Sequence, residues 1–258
     1  MNPDAVEWFA QRRLTGRAVL DLPDRFKPRD AAEAYAIQRA VRTRLIAEGR
    51  GPQLGWKIGI TTPQMRAHLG VEQPIAGAVL RQGRHEPGAT LARAKFARLG
   101  IECEVAAVLA RPLAGPVGRD EVALAVGQLH PAIELVDDRY GRDYRGMGVP
   151  TLIADFAFHA GFVLGPPAAD WRRLDLAAAI GTTAQDGVVR VQGRGADVMG
   201  HPFESIAWLS RLLAEQGEKL EAGAIVLCGS LPVPLWVEGP GRIEAAIAGL
   251  GKVGLTLT

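Results

Sequence analysis

Apolar positions recur at helical spacing in the first quarter of the chain and at strand spacing beyond about residue 75. A short helix is expected over 6–14, and Pro23 and Pro28 mark the loop after it. Asp30 and Glu33 have capping-box spacing ahead of Ala34, Ile37, Val41 and Leu45, and Gly49 supplies a stop. Thr62-Pro63 offers an N-cap and first-turn pair for a helix ending near Gly70.

Short β-prone segments then follow at 78–80, 102–109, 133–136, 161–164, 188–192, 224–227, 235–238, 242–247 and 253–258. The chain's 31 glycines and 17 prolines punctuate them, which implies many tight turns. Two helices interrupt the series. Asp120 caps one carrying Val122, Val126 and Leu129; Pro202 opens the other, with Phe203, Ile206 and Leu213 inward and Gly217 as terminator. The pattern predicts an α+β fold: a helical N-terminal lobe over 1–72, then a mostly β core over 73–258.

Composition narrows the classes. Hydrophobic residues make up 48% and charged residues 22%, as in a soluble globular protein. The formal charge of +2 comes from interspersed side chains, so neither a nucleic-acid stripe nor a membrane-binding face is expected. Gln11-Arg12-Arg13 reads as a solvated helix face. The longest purely apolar run, 105–110, is far shorter than the roughly 20 residues of a spanning helix. Asp4 and Glu7 stand where a secretory signal is basic. Cys103 and Cys228 leave a disulfide open, but two thiols in an unstapled chain fit a reducing cytoplasm better and make no zinc pattern.

The most informative stretch is Ile101-Glu102-Cys103-Glu104-Val105. On a strand, Glu102 and Glu104 share one face with Ala106 and Val108, while Cys103, Val105, Ala107 and Leu109 occupy the other. Both faces are largely apolar, as in a strand covered on each side. Two ionised carboxylates there repel each other and resist desolvation, and a divalent cation removes both problems. Mg²⁺ or Mn²⁺ prefers such hard oxygen ligands. Glu134, in Pro131-Ala132-Ile133-Glu134-Leu135-Val136, is a third acid among apolar residues. Spacing leaves two readings open, a metal site and the solvated edge of a strand.

At these residues the chain resembles the fumarylacetoacetate hydrolase superfamily, in its 2-keto-4-pentenoate hydratase / 4-oxalocrotonate decarboxylase branch. Gly55-Trp56-Lys57-Ile58-Gly59-Ile60-Thr61-Thr62 is similar to that branch's G-[YW]-K-[IV]-G-x-T segment, and Leu69-Gly70-Val71 with Pro74 and Gly77 to its L-G-[VI]-x-x-P-x-x-G. The two acidic strands, the Gly200-His201-Pro202 helix start with Ala207-Trp208-Leu209, and Leu220-x-x-Gly223-x-Ile225-Val226-Leu227-x-Gly229-Ser230-Leu231 complete the series. Each motif is weak alone; together they run in order over some 200 residues.

The resemblance implies a mixed-β core of the fumarylacetoacetate hydrolase type (a β-roll), a homo-oligomer, and Mg²⁺ or Mn²⁺ on Glu102, Glu104 and Glu134. It implies a lyase of aromatic catabolism acting on a 2-oxo or 2-hydroxydienoic acid, foremost a hydratase, with a decarboxylase or a C–C hydrolase as alternatives. Lys57 becomes the acid/base candidate, where the residues alone favour a surface lysine snorkelling beside Trp56. Next to a cation its pKa is expected to fall. Asp155, Ser230 and Leu231 are implied at the substrate, the loop 229–231 acting through backbone groups.

One departure stands out. Where hydratases of the branch commonly read A-D-N-A-S, this chain has Ala154-Asp155-Phe156-Ala157-Phe158 and then His159. Phenylalanine cannot orient water, so a catalytically silent partner of an active paralogue is a third reading. His159 is either a replacement proton donor or a core histidine. His68, His85 and His130 lack ligand spacing and are expected at the surface, and His201 is expected to start a helix.

Overall fold

The computed structural model describes residues 2–16, 22–141 and 144–258. Two helices open the chain, α1 (Pro3–Thr15) and α2 (Ala31–Leu45). The Asp30 side chain accepts from the Glu33 amide at 2.8 Å, as its spacing predicts, while Glu33 reaches back to the Arg29 amide. β1 (Gln53–Gly59) follows, then α3 (Pro63–Leu69), β2 (Ile75–Leu80), β3 (Arg84–His85), β4 (Thr90–Leu91) and β5 (Leu99–Leu109). α4 (Arg119–Ala125) leads directly into β6 (Val126–Asp137), and α5 (Val149–Ala154) precedes β7 (His159–Leu164). The chain ends in β8 (Ile180–Gln185), β9 (Val188–Arg194), α6 (Pro202–Glu215), β10 (Ile225–Ser230), β11 (Leu235–Val237), β12 (Gly241–Ile247) and β13 (Gly251–Leu257).

The larger sheet runs β2-β1-β10-β5-β6-β7-β3, with β11 also paired to β5. The smaller runs β4-β13-β12-β8-β9. Both mix parallel and antiparallel pairs, giving the expected α+β class. The faces of β5 separate as alternation requires: Cys103, Val105 and Ala107 join the main core. Ala106 belongs to a second cluster with Val79, Ala132, Phe162, Ile225 and Leu227. Burial on both sides explains why the strand reads as nearly continuous apolar sequence. Cys103 and Cys228 are both buried and free, which closes the disulfide option. Among the described residues no helix is long and apolar enough to cross a membrane.

Three local expectations need correction. The helix expected to carry Val122, Val126 and Leu129 is Arg119–Ala125 with Gly118 as N-cap, and Val126 and Leu129 begin the strand β6. Pro131 disfavours helical backbone at the residue before it, and pairing with β5 takes the segment over. Gln53–Gly59, inside the stretch that reads as helical, is a strand between β2 and β10. Gly55 is required there, because a Cβ would lie 1.8 Å from the Ile225 carbonyl oxygen. His130, expected at the surface, is buried on β6 with Nδ1 2.8 Å from the Gly165 carbonyl.

Candidate metal and acid/base site

Register brings the acids together. Glu102 on β5 lies directly opposite Glu134 on β6, and Glu104 is two residues along the same face. One oxygen from each of the three lies within 4.8 Å of the others. Oxygen ligands at about 2.0–2.6 Å from one ion sit at most about 4–5 Å apart, so the cluster has the span of a coordination shell. Glu104 and Glu134 are fully buried, whereas the Glu102 side chain keeps 15% of its exposure.

β1 supplies the neighbouring cation. Lys57 Nζ lies 3.3 Å from Glu134 Oε1 and 4.0 Å from Glu102 Oε2, and donates to the Ala157 carbonyl at 3.2 Å. His159 Nδ1 meets the same Glu134 Oε1 at 2.9 Å. From β10, the Gly229 amide donates to Glu104 Oε2 at 2.8 Å.

The remaining oxygens test whether a metal fits. Glu104 Oε1 and Glu134 Oε2 are buried without a hydrogen-bond partner. Orphaned carboxylate oxygens in a dry site are costly. An all-oxygen donor set of three acids suits a hard divalent cation, so the residues fit the metal that the resemblance implies.

The electrostatics without a cation show the same demand. Burial pushes the Glu102 carboxyl up to about 7 against the pull of Lys57, with Glu134 adding to the rise. Burial also drives Glu104 well above the usual carboxylate range, reinforced by Glu134 and Glu102. Burial acts on Glu134 too, but Lys57 and His159 outweigh it and hold its pKa low. For Lys57, burial opposes the charge, yet Glu134, Glu102 and Glu104 together hold its pKa above the ordinary value. Three acids set that field, and a bound cation would act against it. His159 is lowered by burial, against Glu134. The neutral ring donates Nδ1–H to Glu134 and leaves Nε2 buried and unpartnered.

The structure distributes the other sequence candidates differently. Asp155 is fully buried, with its carboxylate held by Arg139 and Arg13. Ser230 Oγ donates to the Pro232 carbonyl at 2.7 Å, and the Leu231 amide to the Cys103 carbonyl at 2.9 Å. The loop group aimed at the acids is the Gly229 amide. Arg13, placed by sequence on a solvated helix face, is instead 14% exposed and bonded to Asp155 and to the His159 carbonyl. Its partners come 142 and 146 residues later, so no local pattern announces them. His201 caps α6 by accepting from the Phe203 amide, as expected.

Residues 77–258 match the model of the fumarylacetoacetate (FAA) hydrolase C-terminal family. The chain is 35% identical to a 2-keto-4-pentenoate hydratase of Burkholderia vietnamiensis over 249 residues, 96% of this chain and 94% of that protein. It is 33% identical to a 4-oxalocrotonate decarboxylase of Pseudomonas putida over 86% of this chain and 83% of the other. The solved 4-oxalocrotonate decarboxylase from Pseudomonas putida G7, complexed with magnesium and adipate, superposes with a TM-score of 0.92 at 29% identity. That superposition covers 99% of this chain and 96% of the other.

Proposed function

This chain belongs to the fumarylacetoacetate hydrolase family, and from that premise we propose that it is a divalent-metal-dependent lyase acting on a 2-oxo or 2-hydroxydienoic acid, foremost a hydratase of the 2-keto-4-pentenoate type. The observation that carries the reading is the trio Glu102, Glu104 and Glu134, with two orphaned oxygens, beside the buried Lys57 ammonium. The likeness over nearly the whole chain to a hydratase and to a magnesium-complexed decarboxylase supports it.

Glu102, Glu104 and Glu134 would hold the cation. When bound, it supplies Lewis acidity and charge neutralisation to the oxygens of an oxo acid. The chain's own residues do the rest. Gly229 fixes Glu104 through its amide, and His159 fixes Glu134. Lys57 holds a proton at Nζ, oriented by the Ala157 carbonyl and Glu134, where it can be given to or taken from a substrate carbon. Glu102 is the partly exposed acid of the three, so an incoming substrate would meet it first. The surrounding apolar side chains keep bulk water away.

Glu104→Gln removes one ligand and is expected to abolish Mg²⁺ and Mn²⁺ binding by calorimetry. Undiminished binding would move the metal elsewhere. Metal must also displace the protons that burial keeps on Glu102, at a pKa of about 7, and on Glu104, well above the usual carboxylate range. Affinity should therefore fall as pH drops, by at least about tenfold per unit below about pH 7, with proton release on binding. A pH-independent affinity between pH 6 and about 8 contradicts that electrostatic picture. Ultraviolet assays on 2-hydroxydienoates separate the chemistries: loss of the diene without CO₂ supports hydration, and CO₂ release marks the decarboxylase alternative. Cleavage of acylpyruvates would mark a hydrolase.

Homo-oligomerisation and a complex with a paralogous decarboxylase or hydratase are part of the same proposal, drawn from the family resemblance; sedimentation tests the first. A cytoplasmic setting is supported by two buried free thiols.

A further inference from the structure

The Ala157 carbonyl that receives Lys57 sits in an unusual piece of backbone. Phe156, Ala157 and Phe158 have φ of +56°, +49° and +65°, three consecutive left-handed residues that all carry a Cβ. Such residues are rarely left-handed singly, and a run of them persists where the surroundings impose it. The turn is closed by backbone bonds from Phe158 to the Asp155 carbonyl and from His159 to the Phe156 carbonyl.

Two features impose it. Gly77 lets the Phe156 carbonyl approach β2, since a Cβ there would lie 2.3 Å from that oxygen. Arg13 supplies the brace. Its Nη1 donates to the Asp155 carbonyl at 3.0 Å and to Asp155 Oδ1 at 2.8 Å, and its Nη2 to the His159 carbonyl at 2.6 Å. The carbonyls immediately before and after the left-handed run are thus held by one planar guanidinium, which also lies 4.3 Å from the centre of the Phe156 ring. Arg139 joins Asp155 to the Arg12 carbonyl, tying the brace back to α1. At the middle of the braced run, the Ala157 oxygen faces Nζ.

We propose that Arg13 is a positioning residue for Lys57: by spanning the two ends of the left-handed turn, it keeps the Ala157 carbonyl against Nζ and so fixes where the amine presents its proton. The inference rests on the reading of Lys57 as the proton carrier. A lysine cannot substitute, because an ammonium lacks the flat fork that reaches two carbonyls at once.

The test compares Arg13→Ala and Arg13→Lys with wild type as full-length, metal-loaded protein. A misplaced catalytic group costs up to about 10²-fold, so both variants should lose at least about tenfold in kcat, with KM and Mg²⁺ affinity near wild type. Amides 158 and 159, whose bonds close the turn, should exchange hydrogen faster in both. Millimolar guanidinium should restore part of kcat in Arg13→Ala and none in Lys57→Ala. The proposal is overturned if Arg13→Lys keeps wild-type kcat, or if exchange at the turn is unchanged. It is also overturned if Arg13→Ala loses kcat without any rescue by guanidinium. Should wild type turn over no dienoate, the functional reading fails by itself, and exchange at the turn still decides whether Arg13 holds it.

Discussion

Lys57→Ala should lower kcat on a 2-hydroxydienoate by about 10²–10⁴-fold, the usual worth of a positioned acid/base group, while Mg²⁺ affinity is kept or rises. Two facts set these directions. Nζ is buried and held by the Ala157 carbonyl and Glu134, so an alanine leaves that position without its proton carrier. The ammonium also lies 3.3 Å from one proposed ligand and 4.0 Å from another, where it competes with a cation for the same oxygens. Removing it deletes the proton carrier and one source of repulsion towards metal together. Turnover followed in the ultraviolet, alongside calorimetric metal titration, reads both effects. A variant that turns over at the wild-type rate takes Lys57 out of the mechanism; one that loses metal as well as rate makes it a structural support of the cluster.

The acids were legible in the sequence because strand geometry is simple. Alternation puts Glu102 and Glu104 on one face whatever the tertiary fold, and an acid inside an apolar strand, Glu134, needs a partner from elsewhere. The strand bearing Lys57 was harder to see. Two glycines, Gly55 and Gly59, dilute its β-prone residues, and Gly55 is there for a contact with β10, some 170 residues further on. The α4–β6 junction was misread because Val122, Val126 and Leu129 satisfy a helical period while long-range pairing with β5 decides the outcome.

The left-handed turn was illegible for a related reason. Its φ values call for Gly or Asn, and the chain offers Phe-Ala-Phe, so the conformation is imposed from outside by Arg13 and by the space at Gly77. Resemblance to hydratases singled out Asp155, Ser230 and Leu231. The structure ties Asp155 to two guanidiniums and aims the neighbouring Gly229 amide at the acids. The phenylalanines that depart from A-D-N-A-S thus lie on the turn whose Ala157 carbonyl receives Lys57 Nζ, and the Phe156 ring packs against the Arg13 guanidinium.

Asp155→Asn should therefore destabilise the fold by about 3–5 kcal/mol at pH 7, the cost of breaking a buried ion pair from one side. Asp155 is fully buried, and its charge offsets those of Arg13 and Arg139, which are 14% and 6% exposed at their side chains. An amide keeps the shape but removes the carboxylate shared by two close guanidiniums, leaving Asp137 to act on Arg139. The pH dependence gives an independent check. Burial pushes the Asp155 carboxyl up, but Arg139 and Arg13 outweigh it and hold its pKa below the usual value. A depressed folded-state pKa confers stability in full above the unfolded value of about 3.9, and that stability is lost as pH falls through the folded value. The gap between wild type and variant should accordingly be widest near neutrality and narrow in acid below about pH 4. Urea denaturation at fixed metal concentration measures both quantities, since bound ion would otherwise add its own stabilisation. A variant within about 1 kcal/mol of wild type at pH 7 would mean that the two arginines find other partners, and the brace beneath Lys57 would not depend on this carboxylate.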